Sequence, residues 1–387
     1  MKSTNLFFDI ISSSIISLIW QKKVISRVEI ANTLRIDKST VTKYVTKLLE
    51  NEIICEIAEG KVGPQGGRKP ILLEINASFA GIGGIEINSE RFICTVLNMH
   101  GDILFQLQKN ISPEIFTFLG LKGIFEYAYE IISAEVKHLN IPLLAIGVGT
   151  PGIIDCKNGL IVKSMTLLID TVYNFLEDAQ QISSVPVFID NDARSCCYGE
   201  KLIHRDSPLE NALFLLLEYR LTEPQISSKK NLSVGIGFII DNKNYAGPDH
   251  LAGEFRSILW TKEYGGQFSA RVAMIDDTKE HTISFDSAYI ELAKHIAFLV
   301  NILNLKTVYV GGIKFETLQI LQKEIETQID YLFPHETVPD CQVRSCSVGS
   351  LAVAYGAAAM CLEKFFGNDE NLRFSKAFDE FLEKKLK

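Results

Sequence analysis

Leu143-Leu144-Ala145-Ile146-Gly147-Val148 runs straight into Gly149-Thr150-Pro151-Gly152, and Val185-Pro186-Val187-Phe188-Ile189 runs straight into Asp190-Asn191-Asp192-Ala193-Arg194. Short apolar runs bounded by turn residues read as strands buried on both faces. Each of these ends in a glycine or polar loop, the place where α/β folds bind ligands. The pattern continues on either side. Residues 81–97 and then Gly101-Asp102-Ile103-Leu104 predict strand, turn and strand. Residues 212–217 and 232–241 predict strands around a glycine loop, and residues 307–310 a strand leading into Gly311-Gly312. Residues 287–303 and 348–365 predict helices, the second containing Gly356-Ala357-Ala358-Ala359. This alternation assigns an α/β body. No internal sequence repeat is visible, and a duplicated fold would not need one.

The loop residues carry the candidate chemistry. Asp192 follows an apolar strand directly, where a carboxylate could act as general base toward a sugar hydroxyl while the Asn191 amide holds the neighbouring hydroxyl. An Asn-Asp helix cap is the alternative reading. Glu254, in Ala252-Gly253-Glu254, is a second acidic candidate, with an ordinary surface carboxylate as its alternative.

The first 76 residues read differently. Leu6, Ile10, Ile11, Ile15, Ile16 and Ile19 fall at helical spacing, and residues 27–34 form a short second helix. Asp37 is an N-cap candidate for a third helix, residues 38–49, with Val41, Val45, Leu48 and Leu49 on its inner face. Its other faces carry Ser39, Thr40, Thr42, Lys43 and Lys47. Short helix, turn, and a helix led by small hydroxyls and lysines is the helix-turn-helix arrangement: hydroxyls reach base edges and lysines neutralise phosphates. A three-helix packing module with a solvated charged face is the alternative. Residues 53–57 and 71–75 then predict a β-hairpin, the wing, whose loop ends in Gly66-Gly67-Arg68-Lys69-Pro70. Arg68 and Lys69 place two cations where a backbone or narrow minor groove can be reached.

Bulk properties agree with this division. The 387-residue chain has a net charge of −8, yet its first 80 residues hold 11 basic and 8 acidic side chains. A mildly basic head on an acidic body fits DNA contact through the head alone. The eight cysteines include no Cys-x-x-Cys pair and read as reduced thiols. The N-terminus has no signal-peptide pattern and no run long enough to span a bilayer, so a cytoplasmic protein is expected.

Several segments resemble the ROK family of sugar kinases and sugar-responsive repressors. Val148-Gly149-Thr150-Pro151-Gly152-Ile153-Ile154-Asp155 is similar to its Gly-x-Pro-Gly-x-x-Asp segment, Ile189-Asp190-Asn191-Asp192-Ala193 to its Asn-Asp site, and Ala252-Gly253-Glu254 to its Ala-Gly-Glu motif. Val310-Gly311-Gly312 and Gly356-Ala357-Ala358 resemble its C-terminal landmarks, and the head looks like the winged helix of its regulators. The resemblance implies a two-lobed actin/hexokinase-like (ribonuclease H-like) fold in which Gly152, Asn191, Asp192 and Glu254 line a sugar cleft. Three departures matter. Glu86-Ile87-Asn88-Ser89-Glu90 stands where the kinases carry an Asp-x-Gly-Gly-Thr phosphate loop, and carboxylates there repel phosphate. The second phosphate loop reads Ser233-Val234-Gly235-Ile236-Gly237. Ser257 takes the position of the family's zinc-binding His, and Tyr264-Gly265-Gly266-Gln267-Phe268-Ser269 lacks the cysteine cluster, so no cofactor or metal is expected. His250 is a conceivable substitute for that His.

The expected division is a winged helix over residues 1–76, a first lobe over 77–193 completed by a C-terminal helix at 366–387, and a second lobe over 194–365. The expected function is a non-enzymatic DNA-binding regulator of carbohydrate metabolism, a repressor with operator DNA and a sugar effector as partners, acting as a homodimer or higher homo-oligomer. The alternatives are a regulator that has lost its effector and answers to a protein partner or acts constitutively, and an active ATP-dependent sugar kinase.

Overall fold

The computed structural model describes residues 10–59, 69–221, 230–262, 266–269, 287–336 and 340–367. The head comprises α1 (Ile10–Lys22), β1 (Ile25–Ser26), α2 (Arg27–Leu34), α3 (Lys38–Glu50), β2 (Ile54–Glu59) and β3 (Ile71–Ile75). The three strands form one antiparallel sheet in the order β1-β3-β2. Ser26 starts α2 through a capping box: its hydroxyl accepts from the Glu29 backbone N–H at 3.3 Å, and Glu29 Oε2 accepts from the Ser26 N–H at 2.9 Å. Arg35, in the left-handed region, ends the helix and turns the chain into α3. Asp37 stands at the N-cap of α3 but makes no side-chain cap bond.

The body repeats one topology twice. The first half runs β4 (Gly81–Ile87), β5 (Arg91–Leu97), β6 (Ile103–Asn110), α4 (Pro113–His138), β7 (Leu143–Thr150), a small sheet of β8 (Ile153–Asp155), β9 (Leu160–Lys163) and β10 (Tyr173–Asn174), then α5 (Phe175–Ile182), β11 (Val187–Asn191) and α6 (Asp192–Ile203). The second runs β12 (Ala212–Leu221), β13 (Lys230–Ile240), β14 (Lys243–Tyr245), α7 (Ser287–Leu303), β15 (Thr307–Gly311), α8 (Phe315–Leu332), β16 (Gln342–Ser345) and α9 (Ala352–Phe366). The main sheets have the orders β11-β7-β4-β5-β6 and β14-β13-β12-β15-β16. In each, the first three strands form an antiparallel meander and the first, fourth and fifth run parallel. The fold is a winged helix-turn-helix joined to a two-lobed ribonuclease H-like body.

The terminal helices of the two halves exchange sheets. Helix α6 closes the first half but packs on β12 and β13, whereas α9 closes the second and packs on β4 and β7. The approach of α9 is close: a Cβ at Gly147 would lie 1.8 Å from the Ala357 carbonyl oxygen. Thus α9, which the expected boundaries give to the second lobe, lies on the first sheet. The helix expected at 366–387 falls outside the described residues beyond Gly367. Cores flank both sheets, and one hydrophobic cluster joins Ile16, Trp20 and Leu73 of the head to Leu144, Ala358 and Phe366 of the body. Among the described residues no helix is long and apolar enough to cross a membrane.

Candidate ligand cleft and nucleic-acid face

Parallel strands β7 and β11 end side by side, with Asn191 paired to Thr150. The loops after them meet there. The Asn191 amide donates to the Gly152 carbonyl at 3.1 Å, and its Oδ1 accepts from the Arg194 N–H at 3.2 Å. The cap reading of Asn191 is therefore realised, and the amide keeps one further N–H. Gly152 has φ 126°, and a Cβ there would lie 2.5 Å from the Lys163 carbonyl oxygen, so the position tolerates only glycine.

Asp192 is 5% exposed. Its Oδ1 accepts from the Ala193 N–H at 2.8 Å and its Oδ2 pairs with Arg220 Nη2 at 2.8 Å. Glu254 lies near enough for Asp192 to help raise its carboxyl, although burial is the larger cause. Gly253 positions it: with φ 94°, this residue passes β13 so closely that a Cβ would sit 1.8 Å from the Ile236 carbonyl oxygen. Asp192 and Glu254 thus come together, with Asn191 and Gly152 beside Asp192. Arg194 ties the floor, pairing with Asp190 at 2.6 Å and donating to the carbonyls of Ile154 and His250, both at 3.0 Å.

Four charged groups that the sequence reading did not assign a binding role extend away from Asp192. Glu86 of β4 pairs with Arg91 of β5 at 2.8 Å. Arg91 also pairs with Glu218 of β12, and Arg220 pairs with Glu218 as well as with Asp192. A chain of charges thus runs from the first β-hairpin through the second lobe to α6. Glu86 is buried, and desolvation outweighs the attraction of Arg91, pushing its carboxyl up to about 7. Beside it, Asn88 Oδ1 accepts from the backbone N–H groups of both Glu90 and Arg91 at 2.9 Å.

The stretch 233–237, which stands at the position of the family's second phosphate loop, lies inside β13, as the strand expected at 232–241 implies. Its glycines make room for α6: Cβ atoms at Gly235 and Gly237 would lie 3.1 Å from Ala193 Cβ and 2.6 Å from the Ala193 carbonyl oxygen. Ser257 donates its N–H to the Gln267 carbonyl at 2.8 Å. Gln267 in turn brackets Val234, accepting from its N–H at 2.7 Å and donating to its carbonyl at 2.8 Å. A serine and an amide without thiolates do not fit a tetrahedral zinc site. The His250 ring faces Asp155, 3.3 Å away, and the Cys156 thiol. A groove of about 1210 Å³ opens beside the charged chain, lined among others by Arg91, Asn110, Phe116, Thr166 and Leu168.

In the head, Val41, Val45 and Leu48 of α3 are buried, while Ser39, Thr42, Lys43 and Lys47 are exposed and Thr40 is half-buried. Thr42 Oγ1 donates back to the Lys38 carbonyl at 2.8 Å. Lys69 is exposed at the base of the wing, and Arg68 lies outside the described residues.

A winged helix joined to a two-lobed body with paired five-stranded sheets, and polar residues gathered where β7 and β11 end, defines the fold class of the chain. Residues 82–262 of the body match the ROK family model. The chain is similar to the xylose repressor of Caldicellulosiruptor bescii, 27% identical over 62% of this chain and 56% of the repressor. It is also similar to the xylose repressor of Bacillus subtilis, 25% identical over 59% of this chain and 55% of that protein. The match spans about half the length of these curated relatives. Among solved structures, a ROK family transcriptional regulator, a homolog of the E. coli MLC protein, has a TM-score of 0.67 at 17% identity, covering 90% of this chain and 94% of that one. A ROK family glucokinase from Streptomyces griseus has a TM-score of 0.52 at 18% identity, covering 73% of this chain and 99% of that one. These likenesses show the fold.

Proposed function

We propose that this protein is a cytoplasmic, sugar-responsive transcriptional repressor that binds operator DNA through α3 and the wing, as a homodimer reading two half-sites. The observation that carries the reading is the exposed row Ser39, Thr42, Lys43 and Lys47 on α3, joined through a continuous core to a ROK body. The relatives' names make D-xylose the first effector to try, with Asp192, Glu254, Asn191 and Gly152 as the groups around it. A gel shift on DNA upstream of the protein's own gene, with and without D-xylose, D-glucose and N-acetyl-D-glucosamine, tests it. Sequence-specific binding that a sugar weakens is expected; no specific binding in any condition overturns it.

The same reading makes the protein a non-enzyme. Phosphate binding at the β4–β5 turn needs free backbone N–H groups. Those of Glu90 and Arg91 are already taken by Asn88, and Glu86 adds a carboxylate beneath them. A coupled ADP-release assay with the same three sugars should stay at background; turnover would restore the kinase reading.

One observation favours a second reading, a regulator without a small-molecule effector. Both oxygens of Asp192 are engaged within the protein. Calorimetry separates the two: heat on titrating a sugar, lost in Asp192→Ala, favours the first, and no heat with any sugar favours the second.

A further inference from the structure

The chain Glu86–Arg91–Glu218–Arg220–Asp192 links three parts of the molecule: the β4–β5 hairpin of the first lobe, β12 of the second, and the first residue of α6. It is largely withdrawn from water, with side-chain exposures of 3% for Glu86, 8% for Glu218 and 7% for Asp192. Arg220 is its pivot. Nε donates to Glu218 at 2.8 Å, Nη2 to Asp192 at 2.8 Å, and Nη1 to the Thr166 hydroxyl at 3.4 Å. Thr166 belongs to the loop after β9, so the guanidinium also reaches the first lobe beside the groove.

We propose that Arg220 gates the sugar cleft, covering Asp192 until a sugar hydroxyl displaces it, and that this displacement unfastens the two lobes. The proposal rests on the reading that Asp192 contacts a sugar. The charges supply the coupling. With Arg220 in place, the carboxylates of Asp192 and Glu218 share one cation. A neutral sugar brings hydroxyls to Asp192 but no charge, and Arg220, kept on Glu218 through Nε, gives up both Asp192 and the Thr166 hydroxyl of the first lobe. Arg91–Glu218 then holds β12 to the β4–β5 hairpin without the Arg220–Thr166 contact, which favours their separation. The sugar therefore selects the unclasped arrangement, and any variant that breaks the clasp should populate it without sugar.

The experiment uses the full chain, with D-xylose, D-glucose and N-acetyl-D-glucosamine as probes in calorimetry, and fluorescence anisotropy on its operator. Arg220→Met should bind the responding sugar about threefold to tenfold more tightly, because no ion pair has to be broken. Its sugar-free operator affinity should move toward the wild-type value with sugar. Glu218→Gln, which leaves Asp192 untouched but loosens both arginines, should shift operator affinity in the same direction and guards against a folding defect in the first variant. Weaker or unchanged sugar affinity in Arg220→Met, together with unmoved operator affinity in both variants, overturns the gate while leaving the sugar reading intact. If neither wild type nor Arg220→Met takes up any of the three sugars, the sugar reading falls and the gate falls with it.

Discussion

Glu86 shows how a single residue can mark a changed site. A carboxyl in a fully buried strand is costly when ionised, and here the cost exceeds what Arg91 and the Asn88 amide return. Its folded value of about 7 lies above the ordinary 4.5, so its contribution to stability is present below pH 4.5 and is lost as pH rises through 7. Glu86→Gln keeps the shape without the charge. The wild type should therefore lose stability relative to this variant as pH rises from 5 to 8, by an amount on the order of 1–3 kcal/mol. Urea titrations at pH 5, 6, 7 and 8 check this, and a constant gap between the two proteins would contradict it. Gln267 is a second such residue. Its amide bonds to Val234 N and O and to the Phe255 carbonyl, stapling the loop after Glu254 to β13. Gln267→Ala should destabilise the protein by about 2–3 kcal/mol, read as a lower urea midpoint, because it leaves a strand N–H and C=O without partners. A loss below about 0.5 kcal/mol would show the loop holds itself.

At the scale of elements, α6 connects the cleft to the head. It begins at Asp192, and just beyond its last residue Arg205 lies over the Trp20 ring of α1, 5.6 Å from its centroid, and donates to the His100 carbonyl at 2.9 Å. Asp206 pairs with Lys23 at 2.9 Å. Arg205→Ala removes the cation–π contact and a hydrogen bond, at a cost of about 1–2 kcal/mol. If the head answers to the cleft through α6, this variant should bind operator with and without sugar at nearly equal affinity while still binding the sugar; an undiminished sugar response would sink that route. Elements also mark what the sequence made legible. Strong periodicity and clear turn residues located residues 27–34, 38–49, 71–75 and 287–303 to within a residue or so of the structure. Helix α4, started by Pro113 and broken at Gly120, and helix α8 drew no prediction, because their patterns are mixed or interrupted. The same holds at the cleft. Asn191, Asp192 and Glu254 announce themselves as polar residues after apolar runs. Arg220 and Glu218 do not, since they sit within a strand whose far end lies beyond the apolar run. The usable signal was their two-residue spacing, which puts both on one face of β12.

The whole molecule is built by exchange, and exchange sets how it unfolds. Helices α6 and α9 each belong in sequence to one lobe and pack on the sheet of the other, with the Gly356 backbone against the Ser195 carbonyl oxygen between them. No repeat in the sequence reveals this, because duplicated topology needs only matching patterns of burial, not matching residues. The head is drawn into the same core: the Trp20 ring of α1 lies tilted against Phe366 of α9, centroids 6.1 Å apart, and Leu73 and Ile75 of the wing share a cluster with Leu144, Ala358 and Leu362. Loss of the head would expose the apolar end of α9, and loss of α9 would expose both the head and the first sheet. Head and first lobe should therefore unfold in one transition, unlike a DNA-binding module on a tether. Hydrogen exchange under native conditions measures this directly. Amides of α1 and α3 should exchange with the same opening free energy and denaturant dependence as those of β4 and β7. Trp20→Ala, by removing the ring between α1 and α9, should lower head protection by about 3 kcal/mol or more while β12 and β15 of the second lobe keep theirs. Head amides that open far more easily than β4 in the wild type would show two independent units instead, and the route from cleft to head would then have to run through something other than this shared core.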